Sequence, residues 1–185
     1  MMTPTLETER IIIRPLKIAD AEAVYNNWSS DPEVTKYMRY NTHRSVSATI
    51  EWLTSVEANY SSEKACDSSK NAYDWGFVFK ETEELFGSGG LCHVQEHGLF
   101  EPGYNIMKKY WSLGLATEAA GAMVDFAAES LGVNAMFARH NKENPASGRV
   151  MEKLGFVRTG SGTNKKFDGR IYETWEYILR IDSAQ

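Results

Sequence analysis

The stretch Tyr110-Trp111-Ser112-Leu113-Gly114-Leu115-Ala116-Thr117-Glu118-Ala119 sets a glycine and small residues directly ahead of an amphipathic run. The first turn of a helix leaves several N–H groups without intrahelical partners, and the helix dipole adds partial positive charge at the same end. Gly114 and Ala116 have little or no side chain, so an anion can approach those amides closely. The same residues also suit a tight helix start chosen for packing, and the stretch gains its meaning from what surrounds it.

Downstream, Leu115, Ala119, Met123, Phe126, Ala127 and Leu131 fall on one apolar stripe, which predicts a helix over 114–131 ended by Gly132. A strand over 135–140 and a helix over 145–154 follow, the latter with proline in its first turn. From Phe156 the chain enters two closing strands, to about Lys165 and from Ile171 to Arg180, joined through Asp168-Gly169. Upstream, strands are predicted over 101–107, 85–93 and 73–80, with Gly87, Gly89 and Gly90 marking a bulge or a close backbone approach. The polar, non-periodic segment 61–71 reads as a mobile connection within one domain. Before it, Val46, Ile50, Leu53, Val56 and Tyr60 form the stripe of a helix over 45–60. Asp31-Pro32 starts a short helix capped by Asp31, Asp20 opens a helix to Trp28, and β-branched residues 8–15 make an N-terminal strand.

A chain of 185 residues is long enough to bury a substantial core without disulfides or metals, and a single α/β domain over 1–185 is expected. Cys66 and Cys92 lack metal-binding or redox spacing and read as thiols in a reducing cytoplasm. No apolar run is long enough for a membrane span or signal peptide, so a soluble cytoplasmic protein is expected. The net charge of −5, with no basic cluster beyond short pairs, argues against nucleic acid as a partner. The five tryptophans are too dispersed for a base-stacking stripe. No Gly-x-Gly-x-x-Gly precedes residue 114, which argues against a dinucleotide-binding fold.

Asn144-Pro145-Ala146-Ser147 followed by Glu152-Lys153-Leu154-Gly155-Phe156 is the second decisive segment. Together with Gly114-x-Ala116-Thr117-Glu118-Ala119, it resembles the GNAT acetyltransferase superfamily, within it the RimJ/RimL-like N-acetyltransferases. The resemblance extends over residues 5–180: Leu6-Glu7-Thr8-Glu9-Arg10 with Arg14-Pro15-Leu16, Asp31-Pro32-Glu33-Val34, Gly103-Tyr104, and Asp168-Gly169-Arg170 with Tyr172 are similar to family segments in the same order. It implies a bent mixed sheet of about six or seven strands flanked by about four helices, with acetyl-CoA between splayed fourth and fifth strands. Here those strands are 101–107 and 135–140.

The family pattern also assigns candidates. The pantetheine arm is expected along Ile106 and Met107, and the pyrophosphate on the loop from Trp111 through Ser112, Leu113, Gly114, Leu115 and Ala116 to Thr117. Ser112-Leu113 replaces the family's Gly followed by Lys or Arg, so backbone amides are left with most of the phosphate contact and Lys108 or Lys109 with the charge. Asn144 is a candidate for the cofactor arm or for the cap of its own helix. Direct transfer without an acyl-enzyme needs a neutral amine and a proton for the departing thiolate. The tyrosine that many members use as the acid is Met151 here, and Ser147, one turn earlier on nearly the same face, is the candidate.

Glu101 is the candidate base, with His93 and His140 as alternatives that also read as structural histidines. Trp75, Tyr104 and Tyr172 are candidates to line the acceptor pocket. An α-amine with pKa about 8 is partly neutral near pH 7 and needs only a weak base, unlike a lysine near about 10.4. The expected acceptor is therefore a primary amine, first a protein N-terminus such as a ribosomal protein's, and alternatively a polyamine, amino acid or aminoglycoside. A catalytically silent acetyl-CoA-binding protein is the reading from another class. No metal is expected, and the protein is expected to be a monomer or homodimer.

Overall fold

The computed structural model describes residues 3–60 and 72–181; the connection 61–71, Cys66 and the side chain of Tyr60 lie outside the described residues. Eight strands form one sheet in the order β1-β2-β3-β4-β5-β6-β8-β7. They are β1 Leu6–Glu7, β2 Ile11–Pro15, β3 Ala72–Phe79, β4 Glu84–Val94, β5 Leu99–Ile106, β6 Ala135–Asn141, β7 Val157–Lys165 and β8 Ile171–Arg180. The five α-helices are α1 Ala21–Val24, α2 Pro32–Thr35, α3 Val46–Tyr60, α4 Leu115–Leu131 and α5 Pro145–Lys153. The count exceeds six or seven strands because a short strand, Leu6–Glu7, precedes the expected 8–15 strand, which begins only at Ile11, and between them Thr8 and Arg10 bond to Glu118 on α4.

Two apolar layers hold the sheet. On one face α4 sets Ala119, Met123 and Phe126 against Tyr73, Trp75 and Phe77 of β3, and the same cluster takes in Met151 of α5. On the other, Leu16, Val24, Trp28, Leu53 and Leu85 form a second buried cluster under α1 and α3. The stripe of α3 differs from expectation, since Ile50 is 40% exposed while Thr49 is fully buried. Thr49 is tolerated because its hydroxyl is hydrogen-bonded with Ser29 Oγ at 3.2 Å and His43 Nδ1 at 2.8 Å.

The helix expected from Asp20 divides into a 3₁₀ turn at Ile18–Asp20, α1, and a π-helical turn at Tyr25–Ser29. Asp20 does not cap α1, because its carboxylate accepts from Arg14 and from the Lys17 N–H, each at 2.8 Å. Asp31 does cap α2, accepting from the Glu33 N–H at 2.8 Å. Gly132 ends α4 in the left-handed conformation that glycine adopts without strain.

The strands β2 to β5 form a continuous antiparallel ladder, as do β6, β8 and β7. Between the two halves, β5 and β6 run parallel and pair only at Phe100–Met136. Beyond that point the strands diverge, giving the splay expected between 101–107 and 135–140. Close backbone approach accounts for Gly89: a Cβ there would stand 2.5 Å from Phe77 Cζ and 2.7 Å from Gly103 O. Gly89→Ala should therefore cost about 1–3 kcal/mol by overpacking, measurable as a lower urea midpoint with unchanged slope.

Candidate functional site

The open end of the β5–β6 gap lies between two helix starts. Met107 donates its N–H to Phe86 O at 2.7 Å and accepts from the Tyr110 N–H at 2.9 Å. The alternation of an antiparallel strand then turns the main-chain groups of Tyr104 and Ile106 toward the gap. Ile106 O accepts from Trp111 Nε1 at 2.6 Å, which folds the indole back over the strand end. Of the two residues expected to meet a pantetheine arm, Met107 thus has both main-chain groups engaged, and Ile106 keeps its N–H on the gap side.

The loop from Trp111 to Thr117 wraps the start of α4. Ser112 at φ 64° and Gly114 at φ 81° are both left-handed, so successive amides turn outward ahead of the helix. Trp111, Ser112, Leu113 and Gly114 are exposed, Ala116 and Thr117 half-buried, and Leu115 buried as the first core contact of α4. No side chain caps this helix start, and its orphan amides remain available to an anion.

Arg10 brings a cation to the loop. It donates through Nη1 to Leu113 O at 3.1 Å, and its Nη2 would lie 3.6 Å from a Cβ at Gly114. Glu118 holds it in place, pairing with Arg10 Nη2 at 2.6 Å and accepting from Thr8 Oγ1 at 2.6 Å and the Arg10 N–H at 2.9 Å. Lys108 and Lys109 are engaged elsewhere, with Glu33 and with Glu84 at 2.6 Å. No local sequence signal marks Arg10, because the contact joins residues more than a hundred positions apart.

Across the gap, Pro145 starts α5 and Asn144 caps it, accepting the Ser147 N–H at 3.4 Å. The cap is the structural alternative for Asn144, and its amide N–H₂ is not consumed by it. Ser147 Oγ is hydrogen-bonded with Tyr104 Oη at 3.1 Å, so one hydroxyl from α5 and one from β5 meet over the gap. Burial pushes the Tyr104 phenol up to about 12 against the opposing pull of Ser147, so it stays protonated. Tyr104, expected as an acceptor contact, stands beside the expected acid.

Glu101 sits next to the single β5–β6 pair, at the closed end of the gap, and forms an ion pair with Arg139 at 3.1 Å. Burial raises its carboxyl above the ordinary glutamate range despite the guanidinium. Tyr172 on β8 is half-buried and feels Glu101, Arg39 and Arg139 electrostatically. Trp75 lines no open surface: it is fully buried among Tyr73 and Phe126, and its Nε1 donates to Pro4 O at 2.7 Å. Its aromatic bulk made it a core residue, the default for a strand aromatic.

His140 is a satisfied core histidine, bonded through Nδ1 with Asn141 O at 2.8 Å and through Nε2 with Tyr177 Oη at 3.1 Å. His93 stacks edge-on against Phe100, away from the Tyr104–Ser147 pair. Among the described residues no group of His, Cys, Asp or Glu is arranged to hold a metal ion, and no helix is long and apolar enough to cross a membrane.

Residues 10–157 match the model of the acetyltransferase (GNAT) domain. The chain is 32% identical over 180 residues to YoaA of Bacillus subtilis strain 168, described as an uncharacterized N-acetyltransferase, covering 96% of this chain and 97% of that protein. Among solved structures, the ribosomal-protein-S5-alanine acetyltransferase of Vibrio fischeri shares the fold at a TM-score of 0.77 and 16% identity, covering 98% of this chain and 99% of that one. The microcin C7 self-immunity acetyltransferase MccE, solved with acetyl-CoA and AMP, does so at 0.76 and 14% identity, covering 94% of each chain.

The Thr8–Arg10–Glu118 network ties the N-terminal strands to the loop ahead of α4, and Glu118→Ala should destabilise the protein by about 1–3 kcal/mol. Burial alone would raise the Glu118 carboxyl, but the hydrogen bonds from Thr8 and Arg10 hold it below the ordinary range. A depressed carboxyl stabilises the fold above its unfolded pKa of about 4.3 and loses that contribution as pH falls through its folded value. Urea titrations of the two proteins should therefore differ most near neutrality and converge in acid.

Proposed function

The chain belongs to the GNAT acetyltransferase family and is an acetyltransferase; from that premise we propose that it moves the acetyl group of acetyl-CoA directly to the α-amine of a protein N-terminus. The observation that carries the reading is the β5–β6 gap, bounded by the Tyr104–Ser147 hydroxyl pair on one side and the amide loop at 112–117 on the other. Acetyl-CoA supplies the acetyl thioester, whose transfer forms a C–N bond and breaks a C–S bond, the proton shed by nitrogen balancing the one gained by sulfur.

The residues fit that donor. Left-handed Ser112 and Gly114 present amides where the pyrophosphate belongs, Arg10 supports the loop from below, and Ile106 offers an N–H along the gap. Ser147 Oγ and Tyr104 Oη hold protons beside the gap and donate toward a developing thiolate. A phenol held near 12 keeps its proton at neutral pH, so the pair acts as a loaded donor at the sulfur.

The acceptor follows from the base. Glu101 is engaged by Arg139, which suits an amine that is already partly neutral near pH 7 over one that must be stripped of its proton. The ribosomal-protein acetyltransferase among the structural neighbours favours the same acceptor class. A small-molecule amine is the second reading. Thiol release with acetyl-CoA and a panel of Ala-, Ser- and Gly-starting hexapeptides, spermidine, lysine and kanamycin tests both. Activity confined to the peptides is expected, and activity confined to the small amines overturns the acceptor.

Two variant sets examine the parts. Ser147→Ala should lower kcat about 10-fold or more, within the range of lost proton-transfer assistance, with little change in the acetyl-CoA KM. Tyr104→Phe should lower kcat similarly, and the double variant should fall no further than the worse single one if the two hydroxyls act as a unit; two unaffected rates would remove the pair from the chemistry. Gly114→Val should raise the acetyl-CoA Kd at least about tenfold by crowding the loop and straining its left-handed backbone. Ser112→Gly, which that backbone accepts, should bind acetyl-CoA normally. Calorimetric titration separates these outcomes, and normal affinity in Gly114→Val would sink the loop assignment.

A further inference from the structure

The loop after α2 and the tip joining β7 to β8 meet over the face of the sheet turned away from α4 and α5. Phe167 donates its N–H to Arg39 O at 2.9 Å, Lys166 Nζ donates to Lys36 O at 2.8 Å, and Arg170 Nη2 donates to Asn41 Oδ1 at 3.2 Å. Arg39 donates through Nε to Lys165 O at 3.4 Å and lies over the Phe167 ring. Carbonyls, an amide and a ring make these contacts, so they gather the cations without neutralising them.

Residues 36–41 and 165–170 contain Lys36, Arg39, Lys165, Lys166 and Arg170 against a single acid, Asp168, in a chain with 20 basic and 25 acidic residues. Asp168 pairs with Arg170 at 2.7 Å, and Glu143 acts on Lys36. Lys36, Arg39 and Lys165 are exposed. Burial and the Arg170 charge both disfavour the Lys166 ammonium, so the two segments hold more positive charge than they compensate. A patch of one sign concentrates counter-charged ligands. Beyond about 8 Å at physiological ionic strength exposed charges are largely screened, so acidity elsewhere does not cancel the patch for a group seated on it.

On the acetyltransferase reading Tyr104 and Ser147 serve the sulfur from the α5 face, and strand alternation leaves the opposite face to the acceptor. The patch is continuous with that face. Arg39 acts on Glu101 of β5, Cys92 of β4 and Tyr172 of β8. Tyr40, the next residue, accepts from the Asn105 amide at 3.3 Å, and Asn105 is 8% exposed with Oδ1 unpartnered among the described residues. The Nε of Arg139, on the same face, is also buried without a hydrogen-bond partner among them. An unused amide oxygen and an unused guanidinium N–H suit the N–H and C=O groups of a peptide main chain. Phe167 and Ile171, 73% and 71% exposed, add apolar surface at the outer edge.

We propose that this rim selects, as acceptor, a protein N-terminus whose α-amine is followed by aspartate or glutamate side chains, the carboxylates seated on Lys36, Arg39 and the tip cations while the amine extends to the gap. The inference rests on the acetyltransferase reading and narrows its acceptor to acidic N-terminal segments. The rim binds carboxylates and does not hold the amine, which reaches the thioester as the neutral nucleophile; guanidinium charge beside an amine favours that form. The transfer is unchanged: a C–N bond forms, the C–S bond breaks, and the proton shed by nitrogen balances the one gained by sulfur. A lipid surface or a nucleic acid would also meet the cations, but neither accounts for their continuity with Glu101 and Asn105.

Two C-terminally amidated hexapeptides decide the point, Ala-Asp-Glu-Asp-Glu-Tyr and its near-isostere Ala-Asn-Gln-Asn-Gln-Tyr. The acidic one should show a kcat/KM at least tenfold higher, through a lower KM, and the ratio should shrink as salt rises from about 50 to about 300 mM. In the double variant Lys36→Glu with Lys165→Glu, at two exposed positions, the ratio should fall at least fivefold while the acetyl-CoA Kd stays within twofold. A ratio near one in the parent protein, or a ratio that survives the charge reversal, overturns the proposal.

Binding without turnover gives an independent reading. The N-acetylated acidic peptide, labelled at its C-terminus, should bind at least fivefold more tightly than the N-acetylated neutral one by fluorescence anisotropy. Equal affinities overturn the rim. A parent protein that acetylates no amine overturns the acetyltransferase reading, and the anisotropy then decides the rim alone. Tighter retention by phosphatidylserine vesicles or by a single-stranded oligonucleotide than by the acidic peptide overturns the peptide as the partner.

Discussion

One missing ladder governs this molecule. A sheet normally satisfies the main-chain N–H and C=O groups of every interior strand, and leaving such groups unpaired is unfavourable. Here β5 and β6 pair once, at Phe100–Met136, and then separate in the middle of an eight-stranded sheet. The two halves are held at their correct divergence by side chains. Ala119, Met123 and Phe126 of α4 pack on the β3 side, Met151 of α5 joins the same cluster, and the Tyr104–Ser147 hydrogen bond spans the opening. The gap is therefore a built feature whose exposed main chain can serve a ligand instead of a neighbouring strand.

Strand alternation then separates the two faces. Tyr104 faces α5 and bonds Ser147, whereas Gly103 and Asn105 face away. The glycines on the two faces meet different surroundings. Gly89 lies under Phe77 and the Gly103 carbonyl, where any side chain would collide, whereas a Cβ on Gly103 would meet no atom of the described residues within 4 Å.

The sequence was most readable where a signal is local. The periodicity of α4, the Asp31 cap, the Gly132 stop and the strands from Ala72 to Ile106 all depend on residues within a few positions of one another. Reading failed where a partner is distant. Thr49 takes an apolar position on α3 because Ser29 and His43 satisfy its hydroxyl, and the expected Ile50 is turned outward. Trp75 is aromatic and strand-borne whether it lines a site or a core, and only its Pro4 and Phe126 neighbours decide. Tyr104 could be named as a candidate but not as the partner of Ser147, since that hydrogen bond joins positions 43 apart.

The loop ahead of α4 shows how a departure from a family pattern is absorbed. Leu113 stands where a basic residue is expected, and adjacent Lys108 and Lys109 are spent on Glu33 and Glu84. Arg10 reaches the same place from β2's leading bend, bonding the Leu113 carbonyl while Glu118 fixes its orientation. A guanidinium already paired with a carboxylate contributes less field to a phosphate than an unpaired one, because the two charges largely cancel at a distance. What it contributes is shape: by holding Leu113 O and the first turn of α4 together, Arg10 keeps the left-handed backbone at Ser112 and Gly114 in the conformation that presents its amides. On the proposed reading the phosphate contact then falls to preorganised dipoles in place of a point charge, and it would depend less on salt and more on the integrity of the N-terminal strands.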